Sequence, residues 1–190
     1  MILWTLFQSL CVAVVAAWLT SFLIEKRESN KTARGLKYLA LQIAFQLEHF
    51  AAECASSFQD AGNYENSNGD MGRMLEALPE LSAYPQDGDY AAFDTALLTQ
   101  VLSFRLKVDS ANSSVIFEYN ANGEDSAHDA CMAVCLKMGV DASKLSDKVR
   151  EAYKLAPFEL EKTLWDYREY LEQQRRLRQQ VSRAIGRKDS

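Results

Sequence analysis

The sequence predicts a mainly α chain: one N-terminal transmembrane helix, then a small helical domain that carries a β-hairpin. Three observations predict it. The first 24 residues hold no charged side chain, and the run stops abruptly at Glu25-Lys26-Arg27. Apolar residues then recur at helical spacing over residues 36–58, with neither Pro nor Gly among them. Further on, residues 102–108 alternate apolar and polar side chains, which is the period of a strand.

Residues 1–24 form the first unit. At about 1.5 Å of rise per residue, a helix of this length covers the roughly 30 Å hydrocarbon core of a bilayer. Trp4 and Trp18 add aromatic character toward its ends. A cleaved leader would carry basic residues ahead of a shorter apolar run, and here none precedes it. A buried core helix would be shorter. The reading is a retained anchor with the lipid bilayer as its solvent. Thr5, Ser9, Ala13, Ala17 and Ser21 recur every four residues, a stripe of small side chains that lets a second transmembrane helix approach closely. Gln8 beside it adds a hydrogen-bonding group. The expectation is pairing through this face, as a homo-oligomer or with another protein.

A basic juxtamembrane segment, residues 25–35, follows. Lys26, Arg27, Lys31, Arg34 and Lys37 all stand within about 15 residues of the end of the span, and no Lys or Arg precedes it. The positive-inside rule puts the domain in the cytoplasm, at the inner (cytoplasmic) membrane. An extracytoplasmic domain is the alternative.

Residues 36–171 are the helical domain. Its first helix carries Leu36, Leu39, Ile43, Leu47, Phe50, Cys54 and Phe58 on one face, which Ala44, Phe45, Ala52 and Ala55 widen. GNYENSNGDMG, residues 62–72, reads as a loop. Pro79, Pro85 and Gly88 extend the irregular stretch, with Leu78, Leu81 and Tyr84 turned inward. Asp89 or Asp94 caps a short helix to about residue 103. Residues 102–108 and 115–119 then read as the two strands of the hairpin, joined by a turn at 109–114. Asn122 caps a helix that Gly139 ends, and Asp141 or Ser143 caps another. Pro157 separates a last helix, from Phe158 to about Ile185, whose inner face holds Leu160, Leu164, Tyr167 and Leu171. Residues 172–190 are its basic end and tail.

Charge is unevenly spread. Residues 25–50 sum to +2, residues 51–130 to −11 and residues 131–190 to +4. An acidic middle disfavours nucleic-acid binding by the domain, and no specific nucleic-acid partner is expected. The basic ends, Lys26, Arg27, Lys31 and Arg34 on one side and Arg175, Arg176 and Arg178 on the other, are candidates for contact with anionic lipid.

Candidate chemistry is sparse. His128, Cys131 and Cys135 share a helix face, but residues 128 and 135 stand about 10.5 Å apart along the axis, too far for one ion. Packing is the better account of them. Four cysteines without CxxC spacing fit reduced, buried thiols. His49 and Glu53, one turn apart, are the one pair suited to acid–base work. No phosphate loop, nucleophile elbow, zinc motif or dinucleotide fingerprint is present, so no cofactor, metal or catalytic residue is assigned.

The segments ALQIAFQLEHFAAECA (residues 40–55) and PELSAYPQDGDYAAFDTALLTQVLSF (residues 79–104) resemble a group of uncharacterised bacterial membrane-associated proteins. That group pairs an LE-aromatic-A-x-x-CA helix end with a later P-x-D-x-D-aromatic segment. The likeness covers about residues 36–160, with Tyr90 standing where Trp is expected, and it implies no activity. The reading of function is therefore a membrane-tethered interaction or regulatory module, non-catalytic, with a protein partner that the sequence does not identify. An extracytoplasmic ligand-sensing or envelope-structural domain is the alternative, and an enzyme using His49 and Glu53 stands behind both.

Overall fold

A computed structural model describes residues 2–160 and 165–186; the side chains of 2–17, 182 and 184–186 lie outside the described set. Among the described residues there are four α-helices: α1 (Ile2–Asn66), α2 (Thr95–Asn122), α3 (Glu124–Ala152) and α4 (Tyr167–Gly186).

α1 runs unbroken for 65 residues, about 97 Å at the helical rise. Neither Ser29-Asn30 nor Gly35 interrupts it. Its apolar face from Leu39 to Ala61 is buried, as the spacing predicts: Ile43, Leu47, Phe50, Cys54 and Phe58 all enter the core. Among the described residues, no helix is long and apolar enough to cross a membrane. The expected span rests largely on residues 1–17, whose side chains are not described.

The expected β-hairpin is not formed, and no strand occurs among the described residues. Both of its segments lie inside α2. The buried residues of α2 are Leu97, Val101, Phe104, Val108, Ala111 and Val115, a strict alternation of four and three. Phe104 and Val108 belong equally to that helical pattern and to the alternating one, and the helical one runs longer. The polar stretch read as a turn stays helical because the buried face runs through it at Val108, Ala111 and Val115; its hydroxyls bond back within the helix, Ser113 Oγ donating to the Asp109 carbonyl and Ser114 Oγ to that of Ser110, both at 3.0 Å. Asp94 caps α2, its carboxylate accepting from the Leu97 amide at 2.8 Å.

A single non-helical residue, Gly123, separates α2 from α3. α3 is one helix where the sequence suggested two. Gly139 does not end it; it sits where α3 crosses α1 and α4. A Cβ there would lie 2.9 Å from Cys54 Cβ and 3.1 Å from a Leu171 methyl. The missing side chain serves close packing of helices. The last helix begins at Tyr167, not Phe158; residues 153–160 are non-helical. Leu164 lies outside the described residues.

Three pairs fix the direction of α3 against α1. Arg150 meets Glu48, Cys135 meets Cys54, and His128 meets Glu65. The two helices are antiparallel, and α4 returns parallel to α1, with Arg168 at Glu48 and Arg178 at Phe58.

Residues 73–94 form a strap lying along the bundle. It starts beside the far end of α1, where Gly72 turns with φ +80 so close that a Cβ would collide with the Asp60 carbonyl. It ends with Gly88 against Leu39. The Leu75 amide donates to His128 Nδ1, the Leu78 amide to Asn112, and Gln46 donates to the Ala83 carbonyl. Leu78, Leu81 and Tyr84 are buried. Their three-residue spacing is that of an extended chain with three residues per turn. Thirteen residues at about 3.1 Å each span roughly 40 Å, matching about 39 Å of α1 between Leu39 and Glu65.

Candidate functional site

Among the described residues, the outer part of α1 is the longest stretch without a buried residue, although α2 also exposes Leu106, Ile116 and Phe117. From Trp18 to Lys37 no residue is buried, and only Leu36 is half-covered. Trp18, Leu19, Phe22, Leu23 and Ile24 are between 48% and 67% exposed although all are large and apolar. The one ring contact recorded there is local, Trp18 on Phe22 at 6.0 Å. In water, an uncovered cluster of this kind is unfavourable by about 25 cal/mol for each Å² of apolar surface.

The predicted residues divide as follows. Thr5, Ser9, Ala13 and Ala17 lie outside the described side chains, and Ser21 is exposed. Lys26, Arg27, Lys31 and Arg34 are exposed on α1 directly after the apolar cluster. Arg175, Arg176 and Arg178 are on α4 at a different level. The Arg178 guanidinium lies over the Phe58 ring at 5.2 Å. Phe58 is 34 residues past Ile24, about 51 Å along the axis. The two basic groups therefore do not share one end of the bundle. Arg187 and Lys188 lie outside the described residues.

Arg175, Arg178 and Arg183 join Lys137 around a groove of about 570 Å³ between α3 and α4. Asp141 sits in the same groove and is bonded to Lys137 at 2.8 Å. Near the exposed part of α1, a second cleft of about 680 Å³ opens between residues 28–42 and the end of the strap; Leu36, Leu39, Lys31, Asp87 and Asp89 line it.

Beneath the surface, Glu48 is buried on α1 and organises the polar interior. Arg150 donates to it through two nitrogens, at 2.6 and 2.9 Å, and Ser146 Oγ donates at 2.6 Å. Arg168 adds a longer bond at 3.3 Å and holds Asp147 at 2.7 Å. The fork-on-carboxylate geometry satisfies both oxygens, which a buried carboxylate requires. The hydrogen bond to Glu48 holds the Arg150 guanidinium above its ordinary pKa, against the opposing effect of burial. Arg150 also donates to the Ala156 carbonyl at 2.6 Å, and Arg168 lies 4.9 Å over the Phe158 ring. One carboxylate thus ties α1, α3, α4 and the segment after α3 together. The sequence reading missed this cluster, because its members are about a hundred residues apart; Glu48 among apolar neighbours on a core-facing turn was the available signal.

His49, next to Glu48, points the other way. It pairs with Glu53 at 3.4 Å, both side chains being largely exposed, 65% and 44%. Ser56, Ser57 and Glu80 share the shallow groove of about 450 Å³ around them. The pair lies on open surface, where little excludes water.

His128 is buried, and its Nδ1 accepts from the Leu75 amide at 2.8 Å. The proton of the neutral ring is therefore on Nε2, 3.6 Å from Glu65. Cys131 and Cys135 are fully buried. Burial pushes the Cys131 thiol up to about 12, and burial together with Cys135 raises Cys54 well above the ordinary thiol range. Cys54 and Cys131 are packed, protonated thiols. Among the described residues, no set of three His, Cys, Asp or Glu side chains is arranged to hold a metal ion.

In comparisons with known proteins, the chain matches no family model, no curated protein and no solved structure.

Proposed function

We propose that this chain is a membrane-tethered interaction or regulatory module without catalytic activity of its own. Residues 1–24 anchor it in the inner membrane, and the helical bundle stands in the cytoplasm. One observation carries the reading: α1 leaves the bundle as a bare helix whose last uncharged turns, Trp18 to Ile24, are apolar and uncovered. Lipid is a solvent that makes such a surface favourable. Lys26, Arg27, Lys31 and Arg34 follow at the depth where anionic headgroups attract cations. The stripe Thr5, Ser9, Ala13, Ala17 and Ser21 gives the anchor a face for a second transmembrane helix. Inside the bundle Glu48, Ser146 and Arg150 are engaged with one another, and the exposed His49–Glu53 pair has no enclosed cavity for a substrate.

Alkaline carbonate extraction tests the tether. The full-length chain is expected to stay with the membrane pellet; release into the supernatant overturns the proposal. Topology is read separately. The native thiols at 54, 131 and 135 are buried, so an exposed reporter is needed, and Ser110→Cys provides one. Protection of that thiol from an impermeant maleimide in intact cells, with labelling after lysis, is the expected result. Labelling without lysis puts the domain on the other side.

A further inference from the structure

The exposed face of α1 carries a second pattern. Arg27, Lys31, Arg34, Tyr38, Leu41 and Phe45 follow one another at steps of four, three, four, three and four. That alternation places them along one line of a helix, the spacing of a coiled-coil seam. All six are exposed, and Tyr38 and Phe45 are 64% and 60% so. The seam lies opposite Leu39, Ile43, Leu47 and Phe50 on the same turns, with Lys31 and Tyr38 also bordering the cleft that holds Asp87 and Asp89. It is about 27 Å long. Its half nearer the N-terminal segment is purely basic, and its farther half is purely apolar.

We infer that this seam is the docking line for an α-helix of a different protein, one with acidic side chains opposite Arg27, Lys31 and Arg34 and apolar side chains opposite Tyr38, Leu41 and Phe45. The inference rests on the tethered reading and names the partner's chemistry. Charge decides between the two obvious occupants. A second copy of this chain, anchored in the same bilayer with the same orientation, would meet α1 in parallel. Its three cations would face these three at matching heights, and like charges across a seam are destabilising. Glu25 and Glu28 do not relieve this, because neither falls on the seam positions. An acidic helix meets the same cations favourably, and an apolar run after the acidic turns covers two aromatic rings and a leucine. The bilayer itself reaches the basic half only: Phe45 is 21 residues past Ile24, about 31 Å along the axis. Counting back from Arg27 in the same alternation reaches Ala17 and Ala13, so the partner's line extends toward the stripe at which a transmembrane helix can approach.

Photo-crosslinking in native membranes tests it. A benzophenone amino acid replaces Tyr38 or Phe45 in the full-length chain, with Leu177 on α4 as the control position. The expected result is one adduct from both seam positions, absent from Leu177. Its linked peptide should carry Glu or Asp at seam spacing ahead of an apolar run. In the variant R27E/K31E/R34E, shown by the Ser110→Cys reporter and carbonate extraction to keep its orientation and its tether, the yield should fall at least tenfold while the thermal midpoint of the domain is unchanged. An adduct of two copies, an adduct with lipid, a linked peptide without acidic residues, a yield indifferent to charge reversal, or no adduct each overturns it. Carbonate extraction of the same samples keeps the two readings apart: a chain retained in the pellet with no adduct refutes the seam and leaves the tether standing.

Discussion

The inner and outer halves of α1 are one helix in two environments. Between Leu39 and Ala61, eleven apolar side chains are no more than 5% exposed; between Trp18 and Lys37 none is buried. No cap, Pro or change of direction marks the border. Helix continuity comes from local propensity and backbone hydrogen bonding, whereas burial comes from the spacing of apolar residues, and the two need not end together. The inner half is held by α3 and the strap. The outer half is covered by none of the described residues.

The largest expected effect breaks the inner half. Glu48→Ala leaves Arg150 buried without its carboxylate, and such a loss costs about 3–5 kcal/mol. Urea unfolding followed by circular dichroism should show the midpoint collapse; a loss under about 1 kcal/mol would mean that the cluster is not the clasp described here. Gly139→Val comes next. Its Cβ would sit 2.9 Å from Cys54 Cβ, and forcing α1 and α3 apart costs about 1–3 kcal/mol. An unchanged midpoint would show that the crossing has slack.

Alkaline pH gives a smaller, graded effect. Burial raises Cys131 from an ordinary value of 9.0 to about 12. The unfolded chain therefore loses its thiol proton first, and the folded state loses stability as pH climbs from about 9 toward about 12. Cys54 acts in the same direction. Stability measured by urea midpoints across that range should fall, and a double C54A/C131A variant should flatten the slope. The smallest effect belongs to the outer half. Thr32→Pro disrupts the helix there yet should leave the unfolding midpoint of the bundle within about 0.5 kcal/mol. A larger shift would mean that the outer helix helps to hold the bundle.

What the sequence made legible follows from the range of each signal. The inner face of α1 was readable because its period repeats over six turns without competition. Side-chain type narrowed the cap of α2 to Asp89 or Asp94, and the bond to the Leu97 amide selects Asp94. α2 was misread because Phe104 and Val108 satisfy two periods at once; Leu102 and Leu106, which complete the alternation, are exposed on the helix, and Leu97, Val101, Ala111 and Val115 tell the two patterns apart. Gly139 carries the same residue type whether it ends a helix or admits a neighbour, and only the third dimension distinguishes the two. Glu48 with Arg150 and Arg168, and His128 with Leu75, could not be paired from sequence, since nothing local links them. At the candidate site, the exposed basic residues of α1 were named from spacing alone. Tyr38 and Leu41 were not, and Phe45, read as widening the buried face, is 60% exposed, because burial of the opposite face must be known before exposure of this one means anything.

The strap at residues 73–94 also has a mechanical consequence. It lies lengthwise beside α1, and α3 lies antiparallel on another side, so a tug on the N-terminal end of α1 is directed along these seams and not across them. Every buried side chain from Leu39 to Ala61 would have to slide at the same moment. Contacts loaded in shear yield together, whereas contacts that are peeled yield one by one, and the bundle is built to resist the first kind of force.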